Sequence, residues 1–134
     1  MSIYEIFNQF AESNSDIIVT GRVDKQFVFF DIGEIHYCFQ AEENDPNYFR
    51  ILLRIDEEET EENANDVHRR CVTTSTNVKC GKAIIVNKKV WFTVEQIYYS
   101  TIENQTLLFR RMISILDYMY NSYNDENKEN GHGE

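Results

Sequence analysis

The chain has 134 residues, 42% of them hydrophobic, with nine Phe and eight Tyr; that is the size of one domain and too aromatic for a disordered polymer. Folding at this length hides about 70% of the surface that the unfolded chain exposes, so a self-sufficient core is within reach. A formal net charge of −10 repels phosphate and anionic headgroups, so neither nucleic acid nor a membrane is expected as a partner.

The first element is a helix. Ser2 followed by Glu5 has the spacing of a capping box, in which each side chain satisfies a free backbone N–H at the helix start. Ile3, Ile6, Phe7 and Phe10 then recur at helical spacing. The run "ESNSD" favours local side-chain-to-backbone bonds and ends the helix near Ser13.

Strands follow. "FVFFDIGEIHYCFQ" sets Gly33-Glu34 between two β-prone runs, and Gly at the first central position suits a type II′ turn. In that register Val28, Phe30, Ile32, Ile35, Tyr37 and Phe39 share an apolar face, while Phe27, Phe29, Asp31, His36, Cys38 and Gln40 share a mixed one. One apolar and one mixed face describe an antiparallel sheet covered on one side. An earlier extended piece, Ile17 to Thr20, is expected to join the first strand or pair at an edge. "NDPN" makes a turn at Pro46, and "YFRILLRI" reads as a third strand.

The acid-rich run Asp56–Asp66 reads as a solvated loop and helix start, its charges suited to the positive end of a helix dipole. The helix after it places Ala64, Val67, Cys71 and Val78 near one face, and Thr73, Thr74 and Thr76 weaken its end. A second hairpin turns at Asn87-Lys88. It pairs Ile85 with Val90, Ala83 with Phe92 and Gly81 with Val94 on an apolar face, and puts Lys82, Ile84, Val86, Lys89, Trp91, Thr93 and Glu95 on the other. Ser100 and Glu103 suggest a capping box for the last helix, whose apolar stripe runs from Leu108 and Phe109 through Met112, Ile113, Ile115, Leu116, Met119 and Tyr120 to Tyr123. That stripe is wider than one sheet contact requires.

The order is α-β-β-β-α-β-β-α: an α+β domain over residues 1–123, with a single antiparallel sheet of about five strands packed by helices. Residues 124–134 carry no apolar side chain and are expected to form a disordered polar tail.

Motifs for chemistry are sparse. No GxxxxGK[ST], GxGxxG or GxSxG is present. His36, His68 and His132 occur singly, so no metal site and no cofactor are expected. Asp31 and His36 face one another across the first hairpin, a pair expected to be structural. Cys80 lies between Lys79 and Lys82 in "KCGK", a setting that can activate a thiol, but no histidine stands beside it and a small residue entering a strand is the simpler role. Cys38, Cys71 and Cys80 form no CxxC pair and cannot close a disulfide framework, and the start "MSIYEIFNQF" has no secretory pattern, so a reducing cytoplasm is the expected compartment.

With this order in hand, the chain resembles the YbjN family, whose domain shares the fold of type III secretion chaperones. "FDIGEIHYCF" is similar to that family's early hairpin, "DPNYFRILLRI" to its third strand, and "VKCGKAIIVNKKVWFTVEQ" to its helix exit and closing strands. The resemblance implies a chaperone-like α+β domain that dimerises, without established enzymatic chemistry. It also implies a role in holding a client polypeptide or in bacterial regulation of motility, stress or signalling.

The expected function is therefore a non-enzymatic protein-binding module, acting as a homodimer that engages another polypeptide. Ile84 and Trp91, flanked by Lys82 and Lys89, are the expected partner surface, with cover by another helix or by the C-terminal segment as the alternative. Phe109, Met112, Leu116 and Met119 are the expected dimerisation stripe. A small-molecule sensor or an enzyme with a pocket on the sheet, and a purely structural dimerisation unit, are the other functions to weigh.

Overall fold

The computed structural model describes residues 1–78, 80–97 and 105–132, with residues 126–132 described by their backbone alone. Its elements are α1 (Ile3–Ser13), β1 (Ile18–Val23), β2 (Phe27–Ile32), β3 (Ile35–Ala41), β4 (Tyr48–Glu58), α2 (Ala64–Asn77), β5 (Gly81–Val86), β6 (Lys89–Ile97) and α3 (Gln105–His132). The strands make one antiparallel sheet in the order β1-β2-β3-β4-β6-β5. The fold is α+β, with six strands rather than the expected five, because the piece before the first hairpin is a full edge strand paired to β2.

Local chemistry accounts for most boundaries. Ser2 Oγ accepts the Glu5 N–H at 3.1 Å and starts α1, and the Asn14 side-chain amide donates to Phe10 O at 2.7 Å where it stops. Gly33 takes φ +61° in the β2–β3 turn, and Asn87 and Lys88 both take positive φ, +52° and +68°, as a two-residue type I′ turn requires. Asn47 N–H donates to Asp45 Oδ1 at 3.1 Å in the turn before β4. Both hairpin registers are those expected: Val28 pairs with Phe39, Phe30 with Tyr37, Ala83 with Phe92 and Ile85 with Val90.

Two boundaries differ from expectation. The acid run is not wholly loop, since β4 continues through Asp56, Glu57 and Glu58. Its Glu57 receives bonds from Arg70 and Tyr123, so β4 is extended by partners on α2 and α3. The helical backbone of α3 also runs past Tyr123 to His132, where a disordered tail was expected. Tyr123 is fully buried and anchors the helix, and no apolar residue follows it. The Ser100–Glu103 cap lies outside the described residues.

All three helices sit on the same side of the sheet. α1 packs on β3 and α3; α3 packs on β4, β5 and β6; α2 fits between β5 and α3. An aromatic cluster forms the centre: Phe7 stacks on Phe39 at 4.3 Å, and Phe109 meets Phe7 edge-on at 5.1 Å and Phe49 at 5.7 Å. Phe92 meets Tyr123 at 5.6 Å at the other end. On the edge strand β5, the Ala83 N–H donates to Ser75 Oγ of α2 at 2.9 Å, which blunts an otherwise open edge.

Candidate functional site

Because every helix lies on one side, the other face of the sheet carries no covering element among the described residues. Its side chains follow from strand parity. Phe29 pairs with Cys38, Cys38 with Leu52 and Leu52 with Thr93, forming one row across four strands. The adjacent row brings Arg54, Trp91 and Ile84 side by side. Between the rows lies an open groove of about 430 Å³, whose apolar wall is Phe27, Phe29, Leu52, Ile84, Val86 and Trp91. Phe29 and Val86 are exposed, at 38% and 48%, and Ile84 and Trp91 are partly exposed. An apolar surface of this kind costs free energy in water.

The rim is basic. Arg50, Lys89, Gln40 and Asn87 line the groove, and among the described residues none of the lining is acidic. Arg50 Nε donates to Gln40 Oε1 at 2.7 Å, which orients the guanidinium across β3 and β4. Ile84, Trp91 and Lys89 of the expected partner surface come together here. Lys82 stands at the margin, 3.9 Å from Glu95, with both side chains in solvent. Cover by another helix or by the C-terminal segment, the alternative for Ile84 and Trp91, is not what the described elements do.

The expected dimerisation stripe is corrected. Phe109, Leu116 and Met119 are fully buried and Met112 is 2% exposed, all within the protein's own core. The stripe is wide because α3 packs against α1 and α2 as well as the sheet, not because a second chain is needed. The outward apolar side chains of α3 are Leu107 and Tyr118 instead, 64% and 60% exposed.

The thiols are placed for packing. Cys38 lines the groove floor, where burial pushes its pKa up to about 12 and its Sγ–H points at Phe39 O, 3.5 Å away. Cys71 lies in the helix core, raised by burial to about 11. Neither is a ready nucleophile at neutral pH. Cys80 is exposed, with φ +71°, at the entry to β5.

A smaller polar recess of about 200 Å³ opens near His36, Arg54, Glu57 and Tyr120. Most of its charged side chains have partners within the chain: His36 Nδ1 lies 2.7 Å from Asp31 Oδ1, as expected across the hairpin, Arg54 lies 3.8 Å from Asp56, and Glu57 is paired with Arg70. Among the described residues no three His, Cys, Asp or Glu side chains converge to hold a metal ion, and no helix is long and apolar enough to cross a membrane.

Sequence reasoning missed part of the groove. Phe27 and Phe29 were legible, since alternation puts them on the mixed face. Cys38 was legible with them through the first hairpin, while Leu52 joins them only through the adjacency β3-β4-β6, which periodicity within one strand does not reveal. No protein-family model matches the chain, and no curated protein matches its sequence.

Proposed function

We propose that this protein is a binding module that captures another polypeptide on the outer face of its sheet, without catalysing a reaction on it. One observation carries the reading: an apolar groove built around Trp91, Ile84 and Leu52 is left open while every helix is spent on the opposite face. Trp is the residue type most often found as an interface hot spot, and a basic rim around an apolar centre is the arrangement that excludes water from such a contact. The resemblance to the YbjN family and to secretion chaperones supports a polypeptide as the ligand. A homodimer is not required, because the stripe that suggested one is core.

An array of short synthetic peptides tests this. Peptides rich in aromatic and aliphatic residues should retain the protein, and Trp91→Ala should lower retention by about tenfold or more. The same variant should melt within about 4 °C of the wild type, because the side chain is partly exposed and its loss leaves no internal cavity. An array that retains neither protein, or retains both equally, rejects the reading.

A further inference from the structure

Building on the polypeptide reading above, we propose that the groove's occupant is an acidic segment that carries large apolar side chains, its carboxylates meeting Arg50 at one end and Lys89 at the other. The charge distribution supports this. The chain carries −10 overall, yet among the described residues none that lines the groove is acidic. Arg50 and Arg54 stand on β4 on either side of Leu52, about 13 Å apart by strand geometry. Lys89 adds a cation beside Trp91, and Lys82 another at the margin.

The acids on this face have partners within it: Asp31 lies 2.7 Å from His36, Asp56 lies 3.8 Å from Arg54, Glu58 stands opposite Lys89, and Glu95 lies 3.9 Å from Lys82 and opposite Arg50 in the strand pair. Elsewhere the surface is acidic, through Glu59–Asp66 and the cluster Asp24, Glu42 and Glu43. An acidic segment is therefore repelled by most of the molecule and attracted at one place, which sets its orientation and speeds the encounter. The apolar path from Phe29 on β2 to Ile84 on β5 crosses four strand spacings, about 19 Å, enough for several side chains of the segment.

The same distribution argues against other occupants. Two copies meeting through this face would set Arg50 and Lys89 against their own kind, which costs free energy. A nucleic acid or an anionic bilayer is a large surface that would feel the net charge of −10 as well as the local cations.

Trp91 is the sole tryptophan and lies in the groove, so its emission reports occupancy. Three synthetic peptides of one apolar pattern serve as probes, with Glu, Gln or Lys at the polar positions. The expected result is a saturable blue shift with the Glu peptide, weakened by about tenfold or more between about 50 mM and about 500 mM salt. The Gln peptide should bind more weakly and the Lys peptide not at all. The double variant Arg50→Glu, Lys89→Glu should invert the preference between the Glu and Lys peptides, its fold checked by circular dichroism. Equal binding of the Glu and Gln peptides, or salt-independent binding, overturns the acidic assignment and leaves the polypeptide reading standing. Binding of none of the three overturns both. A blue shift that grows with protein concentration alone assigns the groove to a second copy, and one produced by phosphatidylserine vesicles but by no peptide assigns it to a lipid surface; either overturns the proposal.

Discussion

The guanidinium of Arg70 lies over the ring of Tyr123, 4.2 Å from its centroid. The Tyr123 hydroxyl in turn donates to Glu57 Oε2 at 3.0 Å, and Glu57 closes the loop by pairing with Arg70. One residue from α2, one from α3 and one from β4 thus form a ring of contacts, with Asp66 bound to Arg70 Nε at 3.0 Å. Arg70 is 1% exposed, and its Nη1 finds no partner among the described residues. A buried guanidinium persists here because two carboxylates and an aromatic face surround it.

Removing that guanidinium should be costly. Arg70→Ala leaves Glu57 without its cation, leaves Asp66 to Arg69 at 2.9 Å, and opens a void under Tyr123. Both carboxylates keep some contact with water, so the expected loss is about 2–3 kcal/mol rather than more. In Arg70→Met most of the volume is kept, and roughly half that loss is expected. Tyr123→Phe should cost about 1 kcal/mol, the value of one hydrogen bond. Urea unfolding of the three variants measures the order, and an Arg70→Ala protein as stable as the wild type would show the ring to be idle.

This ring was not legible in the sequence, and the reason is physical. A charged residue on an amphipathic helix reads as solvent-facing, and Glu57 sits in a run of acids that reads as solvated. Their burial depends on Tyr123, far along the chain, arriving between them. The hairpins were legible because parity is local: Val28 opposite Phe39 and Ala83 opposite Phe92 follow from alternation and a turn. The stripe of α3 was visible, but not what it faces; Phe109 and Met119 would pattern the same way against a sheet or against a second chain. The groove was half visible for a similar reason, since Trp91 and Ile84 are neighbours by hairpin register while Leu52 reaches them through strand order.

The Asn87-Lys88 turn offers a gain in stability. Lys88 holds φ +68°, a left-handed conformation that costs an L side chain about 1–2 kcal/mol, and Asn87 tolerates its +52° better. The Lys88 carbonyl accepts the Glu59 N–H at 2.5 Å, a bond that survives any side-chain change. Lys88→Gly relieves the strain but frees the unfolded chain as well, so a net gain of about 0.5–1 kcal/mol is expected. Thermal melting should show a rise of about 2–4 °C. No rise, or a fall, would mean that the turn is not held in this conformation.

Stability should fall at both extremes of pH, through different residues. Arg110 binds Asp16 with two bonds, 2.7 and 2.8 Å long, and this pairing holds the Asp16 carboxyl below its ordinary value of 3.8. A lowered carboxyl pKa gives stability that is present above the unfolded value and lost as pH falls through the folded one. Asp16 is about half exposed, so the contribution is below about 1 kcal/mol. At the alkaline end, burial and the bond to Asp117 raise Tyr37 well above the usual phenol value of 10.0. That stabilisation is complete below the unfolded value and declines as pH rises beyond it towards the folded one. Unfolding curves across pH should therefore show Asp16→Asn and wild type converging in acid, and Tyr37→Phe losing less stability than wild type in alkali. Parallel curves for either pair would remove that residue from the account.

Trp91 and Phe92 are adjacent, yet β6 sends one out to the groove and the other into the core, where Phe92 is fully buried against Tyr123. Alternation makes their roles separable. Phe92→Ala removes a ring from a packed interior and leaves a cavity, so a loss of about 3–5 kcal/mol is expected. Trp91→Ala removes a larger side chain from an open face that no described element covers, so the loss should stay near or below about 1 kcal/mol. A slip of one residue in the β5–β6 register would exchange the two outcomes, because every side chain on the strand would change face. Denaturant midpoints for the two variants therefore test the orientation of the whole outer surface. If the larger loss falls on Trp91, the groove is interior and no partner binds there.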